Sequence, residues 1–238
     1  MTARQLFEAG RVRDAERALS AHLRDHPQDV SQRIFLFELL CFSGDYDRAE
    51  KQLSVLARDG ADAELGAVLY YSALHAEKTR HELFRKEEFP RAPAPSASPG
   101  VLNGKGFSKI TDADAEIGAR LEVFAAGSYL WVPFAHITSI EIPPPRNLRD
   151  TLWAPALVRT GRSFGGHELG EVLLPATYAF SWRHPDEPVW LGRMTGWMAD
   201  EESNEYPMGQ KLLVVDGEEV PLLEVRRLDF QAGDAAAT

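Results

Sequence analysis

Asp112-Ala113-Asp114 and His167-Glu168-Leu169-Gly170-Glu171 are the runs whose residue types could do chemistry. Two carboxylates one residue apart can share a divalent cation and so support phosphoryl or sugar transfer. Such pairs normally follow an apolar strand, and Phe107-Ser108-Lys109-Ile110 is barely one. Asp112 and Asp114 therefore read as a solvated turn or a helix cap. The second run resembles the start of a zinc-protease helix, in which a second His four residues on completes the ligand pair. Here that position is Glu171, and Gly165, Gly166 and Gly170 oppose a helix, so a loop or hairpin is the better reading. His136 and His184 have no sequence-visible partner. The lone cysteine, Cys41, lies within an apolar helical run, where a thiol is buried rather than reactive. The expectation is a protein with no catalytic residue, metal or cofactor. The competing reading is a metal-dependent enzyme that uses Asp112, Asp114 and His167.

Composition narrows the partners. The chain has 36 acidic and 26 basic residues and a net charge of −10. No basic field is present to hold a phosphate backbone, so nucleic acid is excluded. One cysteine permits no intrachain disulfide framework and no multi-cysteine metal site. No apolar run approaches the roughly 18 residues that cross a bilayer, and the amino terminus lacks a signal-peptide core. A soluble, cytoplasmic protein without a membrane partner is expected.

The elements that must position any site begin with a repeat. Gly10, Ala15, Leu19 and Leu23 recur as Gly44, Ala49, Leu53 and Ala57, the spacing of tetratricopeptide helix pairs. Glycine closes each interhelical turn, and alanine lets the backbones approach. Pro27 ends the second helix, and Asp29-Val30-Ser31-Gln32 resembles a capping box. It opens the most apolar helix, 34–42, which must be covered on more than one side. A fourth helix stops near Gly60. Asp62 can cap a fifth over 63–84. No glycine turn follows one period after Gly44, so the array ends there.

Pro90, Pro93, Pro95 and Pro99 mark an extended linker. Beyond it lie all five tryptophans and β-like runs at 121–124, 129–132, 137–142, 172–174 and 211–215, with a turn at Asp216-Gly217 into 220–228. The expected architecture is α+β in two domains. Residues 1–89 form a TPR-like array of about five helices, and 90–106 form the Pro/Ala/Ser-rich linker. Residues 107–230 form a mostly antiparallel, β-rich α+β domain, and 231–238 a disordered tail. Trp131, Trp153 and Trp190 read as core; Trp182 and Trp197 read as surface.

Repeat geometry puts Ser31, Ile34, Phe35, Glu38, Cys41 and Phe42 on the inner face of the array, with Leu65, Val68, Leu69 and Ser72 on the next inner helix. An apolar groove of that kind suits the apolar stripe of an amphipathic helix. The equal alternative is that the fifth helix and the C-terminal domain fill it.

Seven ordered runs in the second half resemble the ImpE/TagJ-type (SciE-type) accessory proteins of bacterial type VI secretion. They are Asp112-Ala113-Asp114 with Ile117-Gly118; Leu121–Phe124; Tyr129-Leu130-Trp131-Val132-Pro133-Phe134 with Ile137; Leu148-Arg149-Asp150-Thr151-Leu152-Trp153-Ala154-Pro155-Ala156; Leu174-Pro175 with Tyr178; Leu191-Gly192-Arg193 with Thr195 and Trp197; and Gly209-Gln210 before Leu222–Arg226. Glu116, Thr177 and Lys211 stand where relatives often carry Arg. The resemblance implies a cytoplasmic, non-enzymatic adaptor. Its expected partners are the amino-terminal helix of the small sheath subunit (TssB-type) and the ClpV-type AAA+ unfoldase that recycles the contracted sheath. The motif residues, Arg149 and Asp150 included, read as determinants of the fold, that pair as an internal ion-paired corner.

Overall fold

The computed structural model describes residues 1–58, 61–90, 92–161, 164, 168–200 and 203–231, without the side chains of 61–63 and 65. The N-terminal region is five helices: α1 (Ala3–Glu8), α2 (Val12–Asp25), α3 (Val30–Phe42), α4 (Tyr46–Leu56) and α5 (Ala61–Arg85). Local chemistry sets their starts. Thr2 and Gln5 form a reciprocal capping box on α1. Asp29 accepts from the Gln32 N–H at α3, without the reciprocal bond from Gln32, and Asp45 accepts from the Arg48 N–H at α4. The fifth helix begins at Ala61, ahead of the anticipated Asp62 cap. Ala15, Leu19, Ala49 and Leu53 are buried, as the repeat requires.

The C-terminal region is built on an antiparallel eight-stranded sheet. Its strands are β1 (Gly100–Leu102), β2 (Lys105–Phe107), β4 (Arg120–Ala125), β5 (Ser128–Pro133), β6 (Ile137–Glu141), β7 (Trp153–Thr160), β8 (Gly170–Pro175) and β13 (Arg227–Phe230), ordered β2-β1-β13-β6-β7-β8-β4-β5. A smaller sheet, β12-β11-β3, comprises β3 (Ile110–Asp112), β11 (Leu212–Val215) and β12 (Glu218–Pro221). The strands β9 (Thr195–Ala199) and β10 (Glu205–Gly209) form a separate ribbon, which follows a one-turn helix α6 (Glu187–Trp190).

Two points correct the expected boundaries. Residues 100–106, assigned to the linker, hold β1 and the start of β2, and β1 pairs with β13, so the linker is shorter. The closing segment also changes partner after Pro221. The Asp216-Gly217 hairpin joins β11 to β12, but a 3-10 turn at Leu222–Glu224 sends the chain on to β13 in the large sheet. Residues 232–238 of the expected tail lie outside the described residues.

Side-chain alternation gives the large sheet two faces. Ala154, Ala156, Val158, Val172, Leu174, Leu121 and Val123 point to a core shared with Ile110, Leu213, Leu222 and Val225 of the small sheet and its connections. Trp153, Phe124 and Tyr129, with partly buried Leu173, point the other way. There they share one core with the helices, reaching from Leu6 to Ala76. The helical array is thus the outer layer of a three-layer molecule.

Candidate functional site

The clamp between helices and sheet is a buried charge cluster. The Arg80 guanidinium, 1% exposed, donates to Glu122 Oε1 (2.7 Å) and Oε2 (3.1 Å), to Glu77 Oε1 (3.0 Å) and to the Thr177 carbonyl (3.1 Å). Glu77 also accepts from the Trp153 indole at 2.8 Å, and Tyr129 donates its hydroxyl to Glu122. The ammonium of Lys211 bonds Glu122 and lies 2.7 Å from Asp112 Oδ2, as an ion pair without hydrogen-bond alignment. Burial would raise Glu122, but Arg80 and Lys211 together outweigh it and hold the carboxyl at about 2. Burial lifts Asp112 to about 6 against the pull of Lys211. Lys211 therefore supplies the second cation of the cluster.

This geometry disposes of the proposed carboxylate pair. Asp112 is buried, ion-paired to Lys211 and bonded by the Tyr178 hydroxyl at 3.3 Å, and Asp114 caps a turn by accepting from the Glu116 N–H. The expected turn is present, with Asp112 Oδ1 accepting from the Asp114 N–H, but it is buried rather than solvated: the small sheet and Tyr178 enclose it. His167 lies outside the described residues. Among the described residues, no three His, Cys, Asp or Glu side chains are grouped as for a metal ion.

The inner face of the array is also corrected. Phe35, Cys41 and Phe42 are buried in one core with Leu152, Trp153, Trp190 and Leu191, and Glu38 is buried too. The chain itself fills the groove expected there. The repeat glycines are where it docks. At Gly44 (φ +74°) an added Cβ would sit 2.4 Å from Trp182 Cε2, and at Gly10 (φ +74°) 2.9 Å from Pro188 Cγ. Trp182, expected on the surface, is instead a wedge against Tyr46 and His81. Ser31 remains exposed and Ile34 half-buried. Leu65 is outside the described side chains.

Val68, Leu69 and Ser72 meet open space. Val68 is 56% and Leu69 50% exposed. They form one wall of an apolar cleft of about 870 Å³, whose floor is the uncovered part of the outer sheet face. Cross-strand register arranges that floor in two rows. One row reads Pro155, Leu173, Phe124 and the next reads Glu141, Leu157, Glu171. Four strands, β6, β7, β8 and β4, set its width at roughly 14 Å, about three turns of helix. None of the floor residues was expected at a binding face; Phe124 and Pro155 were named only in the motif runs. Their signal was the alternation of outward Trp153, Pro155 and Leu157 with inward Ala154, Ala156 and Val158, obscured because Pro155 argues against a central strand. Strand β6 stops opposite Leu157, so Pro155 pairs on the β8 side alone and is tolerated.

Known proteins place this architecture. A profile for ImpE protein matches residues 104–229, and a tetratricopeptide-repeat profile matches 6–69. The type VI secretion system accessory component TagJ of Pseudomonas aeruginosa is 33% identical, with 99% of this chain and 93% of that protein covered. The chain belongs to the ImpE family. A crystal structure of a Vibrio parahaemolyticus protein has the same fold, with a TM-score of 0.82 at 22% identity over 96% of this chain and 97% of that one.

Most of the ImpE-type motif residues sit at junctions rather than at one site. Arg193 donates to the Phe7 and Glu8 carbonyls and covers the Phe7 ring, pinning the ribbon to α1. Leu148 packs on the helical core, and Arg149 lies over Tyr70 at 4.9 Å. Asp150 accepts from the Arg146 and Asn147 N–H groups. The expected Arg149–Asp150 ion pair is therefore replaced by one stacking contact and one cap. Trp131 is half-buried beside Phe89 and Tyr129, while Trp153 and Trp190 are buried. Pro133 closes β5, and Gln210 bridges to Thr177. Trp197 is 44% exposed on the ribbon. Of the motif runs, Phe124, Pro155, Ala156 and Arg226 line the cleft. No helix among the described residues is long and apolar enough to cross a membrane.

Proposed function

We propose that this ImpE-family chain is a cytoplasmic, non-enzymatic adaptor of type VI secretion that seats the amino-terminal helix of the small, TssB-type sheath subunit in the cleft between α5 and the open sheet face. By holding that helix it influences how the ClpV-type unfoldase recycles the contracted sheath. Similarity to TagJ supports the system. The observation that carries the mode of action is the apolar cleft, with Val68 and Leu69 exposed on one wall and Leu157 and Leu173 on the floor. An exposed apolar concavity of this width suits the i, i+3, i+4, i+7 stripe of an amphipathic helix.

Calorimetry with a peptide of the sheath subunit's first helix tests the reading. Saturable binding to the intact protein is expected, with loss in Leu157→Asp and Val68→Asp at unchanged circular dichroism. Binding that survives both substitutions would move the site elsewhere, and absence of binding would remove the adaptor role.

A further inference from the structure

We propose that Glu171 selects the occupant of the cleft, favouring an amphipathic helix that carries a basic side chain beside its apolar stripe; this rests on the cleft being a helix-binding site. Glu171 is exposed on the floor row beside Leu157. The other acid of that row, Glu141, is already neutralised, accepting from Arg159 at 2.6 Å and Arg227 at 3.2 Å. Arg159, on the adjoining strand β7, is thereby engaged by Glu141. Glu171 makes no ion pair or side-chain hydrogen bond among the described residues. The cleft's own cation, Arg226, is turned back onto the Leu223 and Val225 carbonyls.

Among the described residues, the floor rows thus present the Glu171 carboxylate without a side-chain counter-ion, while Arg226, held by neutral carbonyls, keeps its charge in the cleft lining. Apolar burial supplies affinity there, while the carboxylate sets which flank of the stripe is accepted. The net charge of −10 favours approach of a basic segment but does not orient it.

Fluorescence anisotropy with the full chain and two labelled model helices tests this. The helices share one leucine stripe, flanked by lysines in one and glutamates in the other. At low salt the wild type should prefer the lysine helix by about two- to fivefold, the range of an exposed pair. Glu171→Gln should bring the two affinities together, and Leu157→Asp should abolish both. A lysine preference that persists in Glu171→Gln would assign it to overall charge and overturn the inference. Equal binding of both helices to the wild type, still abolished by Leu157→Asp, would overturn the role of Glu171 and leave the cleft standing. Binding of neither helix, or binding indifferent to Leu157→Asp, would overturn the cleft itself.

Discussion

One face of one sheet behaves in two ways. Where Trp153, Glu122 and Tyr129 point outward, the helical array covers them, and its polar groups are tied to Glu77 and Arg80. Four residues further along β7, Leu157 points outward from the same strand, but there the surface opens into the cleft beside Val68 and Leu69 of α5. The covered half shows that a buried charge cluster can specify how two layers meet, because each ion is costly unless its partner is present. The open half carries apolar side chains without a partner layer, which is the mark of a surface kept for something else.

Four measurements can break or sharpen that contrast. The largest effect belongs to Glu122→Gln. Arg80 and Lys211 would lose their shared counter-ion, and urea unfolding should show a loss of about 3–5 kcal/mol. A loss below about 1 kcal/mol would mean that the cluster is not the clamp.

Acid titration follows in size. Glu122 is held at about 2 against an ordinary 4.5, so its stabilisation is complete above 4.5 and lost as pH falls toward 2. Asp112, raised from 3.8 to about 6, works in the opposite sense: it favours the folded state at low pH, and that share is lost as pH rises through 6. Stability should therefore climb between pH 2 and 4.5 in the wild type, and that limb should vanish in Glu122→Gln.

Next comes Gly44→Ala, where a strained φ and the Trp182 ring both oppose the methyl group. A loss of about 1–3 kcal/mol is expected by thermal unfolding, while Gly66→Ala, with open space around it on α5, should be neutral or slightly stabilising. Equal effects at the two sites would separate the repeat turns from the docking of Trp182. The smallest effect is in the open half: Leu157→Asp should change stability by less than about 0.5 kcal/mol while abolishing helix binding. Substantial destabilisation there would show that the floor is structural after all.

Much of the outer layer was legible in the chain. The glycine and alanine spacing, the Asp29 cap and the apolar run through Phe42 define local helices, whose hydrogen bonds close within a few residues. Strands β4, β5, β6, β8 and β11 also showed as apolar runs. The cleft was only partly legible: Val68, Leu69 and Ser72 were picked out on the helix, but Leu157, Leu173 and Glu171 were not. Sheet faces depend on register with distant strands, which alternation within one strand leaves open.

By itself the sequence determined the helical repeat, the change of composition after Pro99 and the motif runs of an ImpE-type chain, because each is written in residues close together. Only the tertiary structure decided that Phe35 and Phe42 are core, that Asp112 answers Lys211, and that Gly10 and Gly44 receive Pro188 and Trp182. Those outcomes turn on which surfaces meet across long stretches of chain. A greasy helix face looks the same in a sequence whether a partner or the protein's own sheet removes it from water.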